Sequence, residues 1–165
     1  MKTWFTSDTH FGSERTLQLS KRPFKTVNEM DNVIITNWNN RVSEDDTVYH
    51  LGDFGDYEVR HKLNGKIILI KGNYEEMDNL NGVFSEVLNC CSIELNRKQV
   101  FLNHYPSKHH SDQFNLFGHV HKLCMIKQYG LNVGTDCHNF CPIDVETVKF
   151  YQNAIENHYD SNVFD

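Results

Sequence analysis

Short apolar runs that stop on a polar residue recur along the first half of the chain. Residues 2–7 (KTWFTS) alternate and end at Asp8, the period of a strand with one face toward a core. Residues 46–51 (DTVYHL) lead to Gly52 and Asp53, and residues 66–71 (KIILIK) carry an apolar centre to Gly72 and Asn73. After the first strand and its loop a helix is expected. Thr26 and Glu29 form a capping box, and Met30, Val33, Ile34 and Trp38 then share one face at helical spacing. This helix is expected to lie over a sheet, and a short helix is expected at 57–64. Strand, helix, strand, repeated, is the pattern of parallel pairing.

The second half changes character. CSIEL at 91–95 and QVFLNH at 99–104 flank a polar turn at Asn96 and Arg97, which predicts an antiparallel hairpin with His104 at its end. Residues 114–119, 125–130 and 131–135 read as further short strands. Val145, Val148 and Tyr151 predict a terminal helix capped by Asp144, and the last eight residues are expected to fray. Both halves fit an α/β fold with two mixed sheets flanked by helices, in a single domain spanning 1–165. There is no internal repeat, linker or low-complexity segment.

Composition narrows the class. A chain of 165 residues with 39% hydrophobic and 23% charged positions can bury about 70% of its unfolded surface. No apolar run approaches the roughly 20 residues a bilayer demands, and MKTWFTSD lacks a signal-peptide core, so a cytoplasmic protein without a membrane partner is expected. The net charge of −6 argues against a large nucleic-acid surface, which Lys and Arg would have to supply. The five cysteines, at 90, 91, 124, 137 and 141, lack paired spacing and are expected as free thiols rather than a disulfide framework. A structural zinc on Cys124, Cys137, His138 and Cys141 is the less favoured alternative.

The candidate chemistry lies where the apolar runs end. Asp8 and His10 in SDTH, Asp53 in HLGDF, Asn73 in KGNY, His104 in LNHYP, and His119 with His121 in FGHVH are all metal-ligand types. Carboxylate and amide oxygens mixed with imidazoles suit Mn, Fe, Co, Ni or Zn, and seven ligands exceed the needs of one four-coordinate ion. Two divalent ions sharing a carboxylate is the simplest reading. A turn permitted by Gly118 is expected to aim His119 and His121 at one site.

In this order, DxH, GD, GN, H and GHxH resemble the motifs of the calcineurin-like metallophosphoesterases over about residues 2–146. DTHFG, RPF, NWN, DTVYHLGDF, KIILIKGN and LNVGTD resemble more narrowly the small single-domain bacterial and phage branch. The resemblance implies a four-layer αββα sandwich with the metals at the strand ends of its two sheets. It also implies that Asp8, His10, Asp53 and His121 hold one ion and Asp53, Asn73, His104 and His119 the other, with Mn the first choice. A hydroxide between the ions would be the nucleophile in an in-line displacement, so no protein nucleophile is required.

The chain departs from that family twice. The usual GNH reads Gly72–Asn73–Tyr74, so the acid histidine is replaced by a phenol that donates a hydrogen bond but cannot become an imidazolium. DTHFGH reads DTHFGS, with Ser13 last. Asp53, Asn73, Tyr74 and His104 are the expected catalytic residues, and Arg22 and Tyr74 the expected substrate contacts. His109 or His110 could reach over the site, Asp136, His138 and Asn139 fall where polar residues orient ligands or substrate, and His50 is expected behind the site or in the core. The expected activity is a phosphodiesterase on a small nucleotide-like or cyclic-nucleotide substrate. The alternatives are a metal-stabilised binding module without turnover and, ranked lower, a protein phosphatase.

Overall fold

The computed structural model describes residues 1–75, 80 and 82–160. Its first half forms β1 (Thr3–Thr6), α1 (Glu14–Leu19), α2 (Val27–Asn39), β2 (Thr47–His50), β3 (Lys66–Ile70) and β4 (Glu86–Leu88). Its second half forms β5 (Cys91–Leu95), β6 (Lys98–Leu102), β7 (Phe114–Phe117), β8 (Ile126–Lys127), β9 (Gly130–Asn132), β10 (Ile143–Asp144) and α3 (Val145–His158). One sheet has the order β10-β1-β2-β3-β4 and the other β5-β6-β7-β9-β8. In the first, β1 to β4 run parallel and β10 is antiparallel to β1; in the second, β6, β7 and β9 run parallel between antiparallel edges. Two mixed sheets flanked by helices are the architecture the sequence predicts.

Local chemistry explains the boundaries. The Thr26 hydroxyl accepts from Glu29 N at 3.1 Å while the Glu29 carboxylate accepts from Lys25 N at 2.7 Å, which closes the N-terminus of α2. The Asp144 carboxylate accepts from Thr147 N at 2.8 Å and starts α3. Asn96 and Arg97, at φ of 51° and 63°, form the two-residue turn between β5 and β6; two left-handed residues suit the twist of a tight hairpin.

Alternation along the strands feeds two cores. Trp4, Val48, Ile67 and Leu69 face α2, where Met30, Ile34 and Trp38 are buried. Phe5, Leu51 and Ile70 face the other way and meet Val100, Leu102, Leu116 and Leu131 of the second sheet. Val148 and Ile155 bring α3 onto this inner core, against β1, β9 and β10. Asp46 accepts from Lys2 N, Trp4 Nε1 and Ser43 N, pinning the start of β1 to that of β2.

Three expectations change. The segment expected as a helix at 57–64 is a 3₁₀ turn over Tyr57–Lys62, capped by Asp56. The strands expected at 125–130 and 131–135 shrink to β8 and β9, which pair antiparallel. The separate short helix α1 was not anticipated; its N-cap is Ser13, whose hydroxyl accepts from Thr16 N at 3.1 Å. The expected fraying falls mainly on residues 161–165, outside the described residues, whereas His158 still belongs to α3. Among the described residues no helix is long and apolar enough to cross a membrane.

Leu116 is fully buried between the sheets, so Leu116→Ala is expected to lower unfolding free energy by about 2–5 kcal/mol in urea titrations. Leu123→Ser, at a side chain 88% exposed, should stay within about 0.5 kcal/mol of the parent.

Candidate metal centre

β1, β2 and β3 run in one direction, as do β6, β7 and β9, so each trio delivers its carboxyl ends together. Such ends are where open α/β sheets place their sites. Ser7 bridges Gly134, with Thr135 N donating to Ser7 O at 2.9 Å, and this joins the end of β1 to the loop after β9. The loops then turn sharply. Asp8, His10, Asp53, His119 and His121 all have positive φ, between 47° and 72°. Asp and His tolerate this region better than most residues, but each such turn still costs on the order of 1–3 kcal/mol. Hydrogen bonds from Asp8 N to Gly52 O and from His10 N to Asp53 O, 2.9 and 3.0 Å, hold the first turns.

Six of the seven expected ligands converge in two groups, and Asn73 lies against the second. Asp8, His10 and His121 form one, and Asp53, His104 and His119 the other; within each group the ligand atoms lie within 4.8 Å of one another. In the second group His104 Nε2 is 3.2 Å from Asn73 Oδ1, 3.2 Å from His119 Nδ1 and 3.5 Å from Asp53 Oδ2. His119 Nδ1 is 3.1 Å from Asn73 Oδ1. A tetrahedral ion with bonds of about 2.1 Å separates its ligands by roughly 3.4 Å, so these spacings fit one cation. In the first group His10 Nε2 is buried without a hydrogen-bond partner, 3.5 Å from Asp53 Oδ2 and 4.0 Å from Asp8 Oδ1. A lone pair aimed among carboxylate oxygens is the arrangement a cation satisfies, so the residues present fit divalent metals.

The surroundings set the direction of each ligand. Asp53 Oδ1 accepts from Asn73 N and Tyr74 N at 3.0 and 3.2 Å, which leaves Oδ2 facing both His10 and His104. His104 Nδ1 lies 2.7 Å from Leu51 O, so its ring N–H is used there and Nε2 is free to ligate. His121 Nδ1 lies 2.8 Å from Asp136 Oδ2 and orients Nε2 in the same way. Glu75, whose role the sequence reading missed, accepts from Gly72 N, Asp53 N and Phe54 N and ties the GD and GN loops together. A carboxylate two residues after the GN asparagine was the available signal.

Glycine is required at two of these turns by close approach. A Cβ on Gly118 would stand 2.0 Å from Ser7 Oγ and 2.4 Å from Asp8 Oδ2, and one on Gly52 would stand 2.7 Å from His104 Nδ1. The left-handed residues of this segment are His119 and His121 themselves, and one lies in each of the two groups.

Arg22 is placed differently from its expected role as a substrate contact. Its side chain has no exposed surface. Nε and one Nη donate to the two oxygens of Asp136, and the guanidinium also donates to Asp8 O and Thr9 O. It stands behind the site and fixes Asp136, and through it His121. Tyr74 is half-exposed, accepts from Arg15 Nη at 3.1 Å and sets its ring edge-on to His10 at 5.2 Å. His109 stacks on Tyr129, His110 packs near Phe101, and neither joins a ligand group. His138 Nε2 lies 2.7 Å from Asn132 O, and the Asn139 carbonyl accepts from Asn37, so both serve the last loop. The cysteines are free thiols, and Cys124, Cys137, His138 and Cys141 form no ligand group among the described residues.

The electrostatics mark where positive charge is wanted. Burial raises the Asp8 carboxyl above its ordinary range, against the pull of His104 and His121. Burial lowers the His10 imidazole to about 4, and lowers His50, packed between Trp38 and Phe54, to about 3. Burial also opposes ionisation of Asp136, but hydrogen bonds from His121 and Arg22 prevail and hold it at about 2. A bound divalent ion would dominate this field and favour ionised Asp8 and neutral imidazoles together.

Two mixed sheets with oxygen and imidazole donors at their convergent strand ends define a metal-binding hydrolase scaffold. The model of the calcineurin-like phosphoesterase superfamily domain matches residues 1–139. The chain belongs to that superfamily. An uncharacterised protein of Methanocaldococcus jannaschii is 30% identical over 89% of each chain. A protein of Mycobacterium phage L5, the product of its gene 66, is 32% identical over 44% of this chain and 39% of its own. The crystal structure of a protein of unknown function from Aquifex aeolicus superposes with a TM-score of 0.78, at 26% identity, over 90% of this chain and 98% of that one.

Asp136→Ala removes the acceptor that orients His121 and should weaken metal binding about 10–100-fold in competition with a chelating dye. In the metal-free protein, burial lowers the His104 and His121 imidazoles, but their carboxylate partners outweigh it and raise them above 6.5. Only neutral imidazole ligates, so proton competition should set in above pH 6.5 as pH falls, and the dye titration should show affinity dropping from there.

Proposed function

We propose that this protein is a dinuclear metal-dependent phosphodiesterase acting on small nucleotide-like or cyclic-nucleotide phosphoesters. The observation that supports the reading is Asp53 Oδ2, which lies 3.5 Å from His10 Nε2 and 3.5 Å from His104 Nε2, so one oxygen faces a histidine of each ligand group. Asp8, His10, Asp53 and His121 would hold one cation, and Asp53, Asn73, His104 and His119 the other. Two divalent cations held there, with Mn first among Mn, Fe, Co, Ni and Zn for this donor set, would supply an activated water near neutral pH and neutralise charge on the phosphoryl group.

The chain's own residues position and select. Asp53 is kept in register by the amides of Asn73 and Tyr74, and Asn73 and His104 keep their donor atoms together at 3.2 Å. Tyr74 stands where the family's acid histidine would be. Its phenol donates a hydrogen bond to a phosphoryl oxygen or a leaving group, but it lacks the imidazolium charge that a dianionic monoester rewards. Diesters, with one negative charge instead of two, suffer less from that loss. The acidic chain and the small cleft beside the site support a small substrate over a long nucleic acid.

The test is to strip the protein of metal, reconstitute it separately with Mn, Ni, Zn and Mg, and assay chromogenic phosphodiester and phosphomonoester substrates. Metal-dependent diester cleavage exceeding monoester cleavage is expected, and bound metal without turnover on either would overturn the reading. Asp53→Asn should abolish activity. Tyr74→His should raise monoester turnover by roughly 10²-fold if an acid is all that is missing.

A further inference from the structure

A cleft of about 270 Å³ opens directly beside the metal centre, between α1 and the turn at His121–Leu123. Arg15, Leu19, Tyr74, Val120 and Leu123 line it, and His119 and His121 form its inner edge. Leu19 is 70% exposed, Tyr74 48% and Leu123 88%, and they are three of the six exposed large apolar side chains among the described residues. Scattered exposed leucines mean little, whereas their concentration at the mouth of one site marks a contact surface. The chain is acidic overall, yet Arg15 and Lys122 line this cleft and no Asp or Glu does among the described residues.

We propose that this cleft is the substrate's organic seat. It takes one planar, largely apolar substituent of a phosphodiester, such as an aryl or nucleoside arm, while Arg15 and Tyr74 act as a pair on the phosphoryl oxygens. The proposal rests on the phosphoesterase reading above and adds a substrate class to it. The pair follows from geometry. Arg15 Nη donates to Tyr74 Oη at 3.1 Å, which uses an oxygen lone pair and leaves the phenolic hydrogen to donate onward. The remaining guanidinium N–H groups bring the fixed positive charge that tyrosine lacks, within reach of the same anion.

Size limits the occupant. Sites that enclose a whole drug-sized ligand occupy roughly 300–1,000 Å³, so a cleft of about 270 Å³ holds one arm of a diester and leaves the other arm outside. The walls limit it further. Leu19 and Leu123 offer apolar faces, and the ring of Tyr74, already edge-on to His10, has a half-exposed face for a flat group. Arg15 and Leu19 belong to α1, whose only sequence signal is the Ser13 cap, so Ser13 starts the helix that builds this wall.

The experiment is calorimetric binding of inorganic phosphate and of phenylphosphonate, which is not hydrolysed, to the metal-loaded protein and two variants. The parent should bind phenylphosphonate more tightly than phosphate. Leu123→Ser should weaken phenylphosphonate about fivefold, the loss expected for a few tens of Å² of apolar contact, and leave phosphate unchanged. Arg15→Ala should weaken both ligands about tenfold, and Arg15→Lys should restore part of that loss. Equal affinity of the parent for both ligands, or no effect of Leu123→Ser, overturns the cleft proposal while leaving the phosphoesterase reading intact. No phosphate binding by the metal-loaded parent overturns both. Sedimentation of the same samples covers the other occupant: if Leu123→Ser dissociates a dimer without changing phenylphosphonate affinity, the patch is a contact between copies and the proposal fails.

Discussion

The carboxylate of Asp53 is the constraint on which the site's geometry rests. It is buried, with one oxygen held by the amides of Asn73 and Tyr74 and the other turned to His10 and His104. An ionised group in that position demands positive charge nearby, because the cost of desolvating it is several kcal/mol or more. The neighbouring imidazoles meet part of the demand. Burial raises the Asp53 carboxyl, but the interaction with His104 prevails and keeps it below its ordinary range. Asp8, also buried, lacks comparable support and is pushed upward.

The fold serves this arrangement through parallel strands. Because β1, β2 and β3 point one way and β6, β7 and β9 are likewise aligned, both sheets release their loops toward a common edge. Left-handed residues then bend those loops inward, and glycines at 52 and 118 let backbone pass within contact distance of the ligands. Strain of this kind persists only where the surroundings over-determine it. Here they do so with Glu75 bridging three amides, Arg22 clamping Asp136 and two carbonyls, and Asn132 holding the His121 carbonyl. The candidate metal ligands are thus held in place by hydrogen bonds to the backbone around them.

Much of this was legible in the sequence because strand ends and ligand types coincide. KIILIK running into Gly–Asn, and DTVYHL into Gly–Asp, place donors at loop starts whatever the tertiary detail. The capping box at Thr26, the N-cap at Asp144 and the tight turn at Asn96 are local, and local signals survive folding. What escaped was non-local. Nothing in RPF says that the guanidinium turns inward, since its partner Asp136 lies 114 positions away. The segment at 57–64 has helical composition but forms a 3₁₀ turn over Tyr57–Lys62, with Val59 buried from the turn and Leu63 from its extended C-cap. The wall formed by α1 was missed because a six-residue helix carries too little periodicity to stand out.

Asp53 Oδ2, which faces both His10 and His104, would take part in holding both of the proposed divalent ions. Manganese bound to the stripped protein can be counted by elemental analysis and read by electron paramagnetic resonance on the same sample. The account predicts two ions per chain with the spectrum of an exchange-coupled pair, and loss of the coupling in Asp53→Asn. A single ion per chain, or two ions showing only the spectrum of isolated manganese, would contradict it.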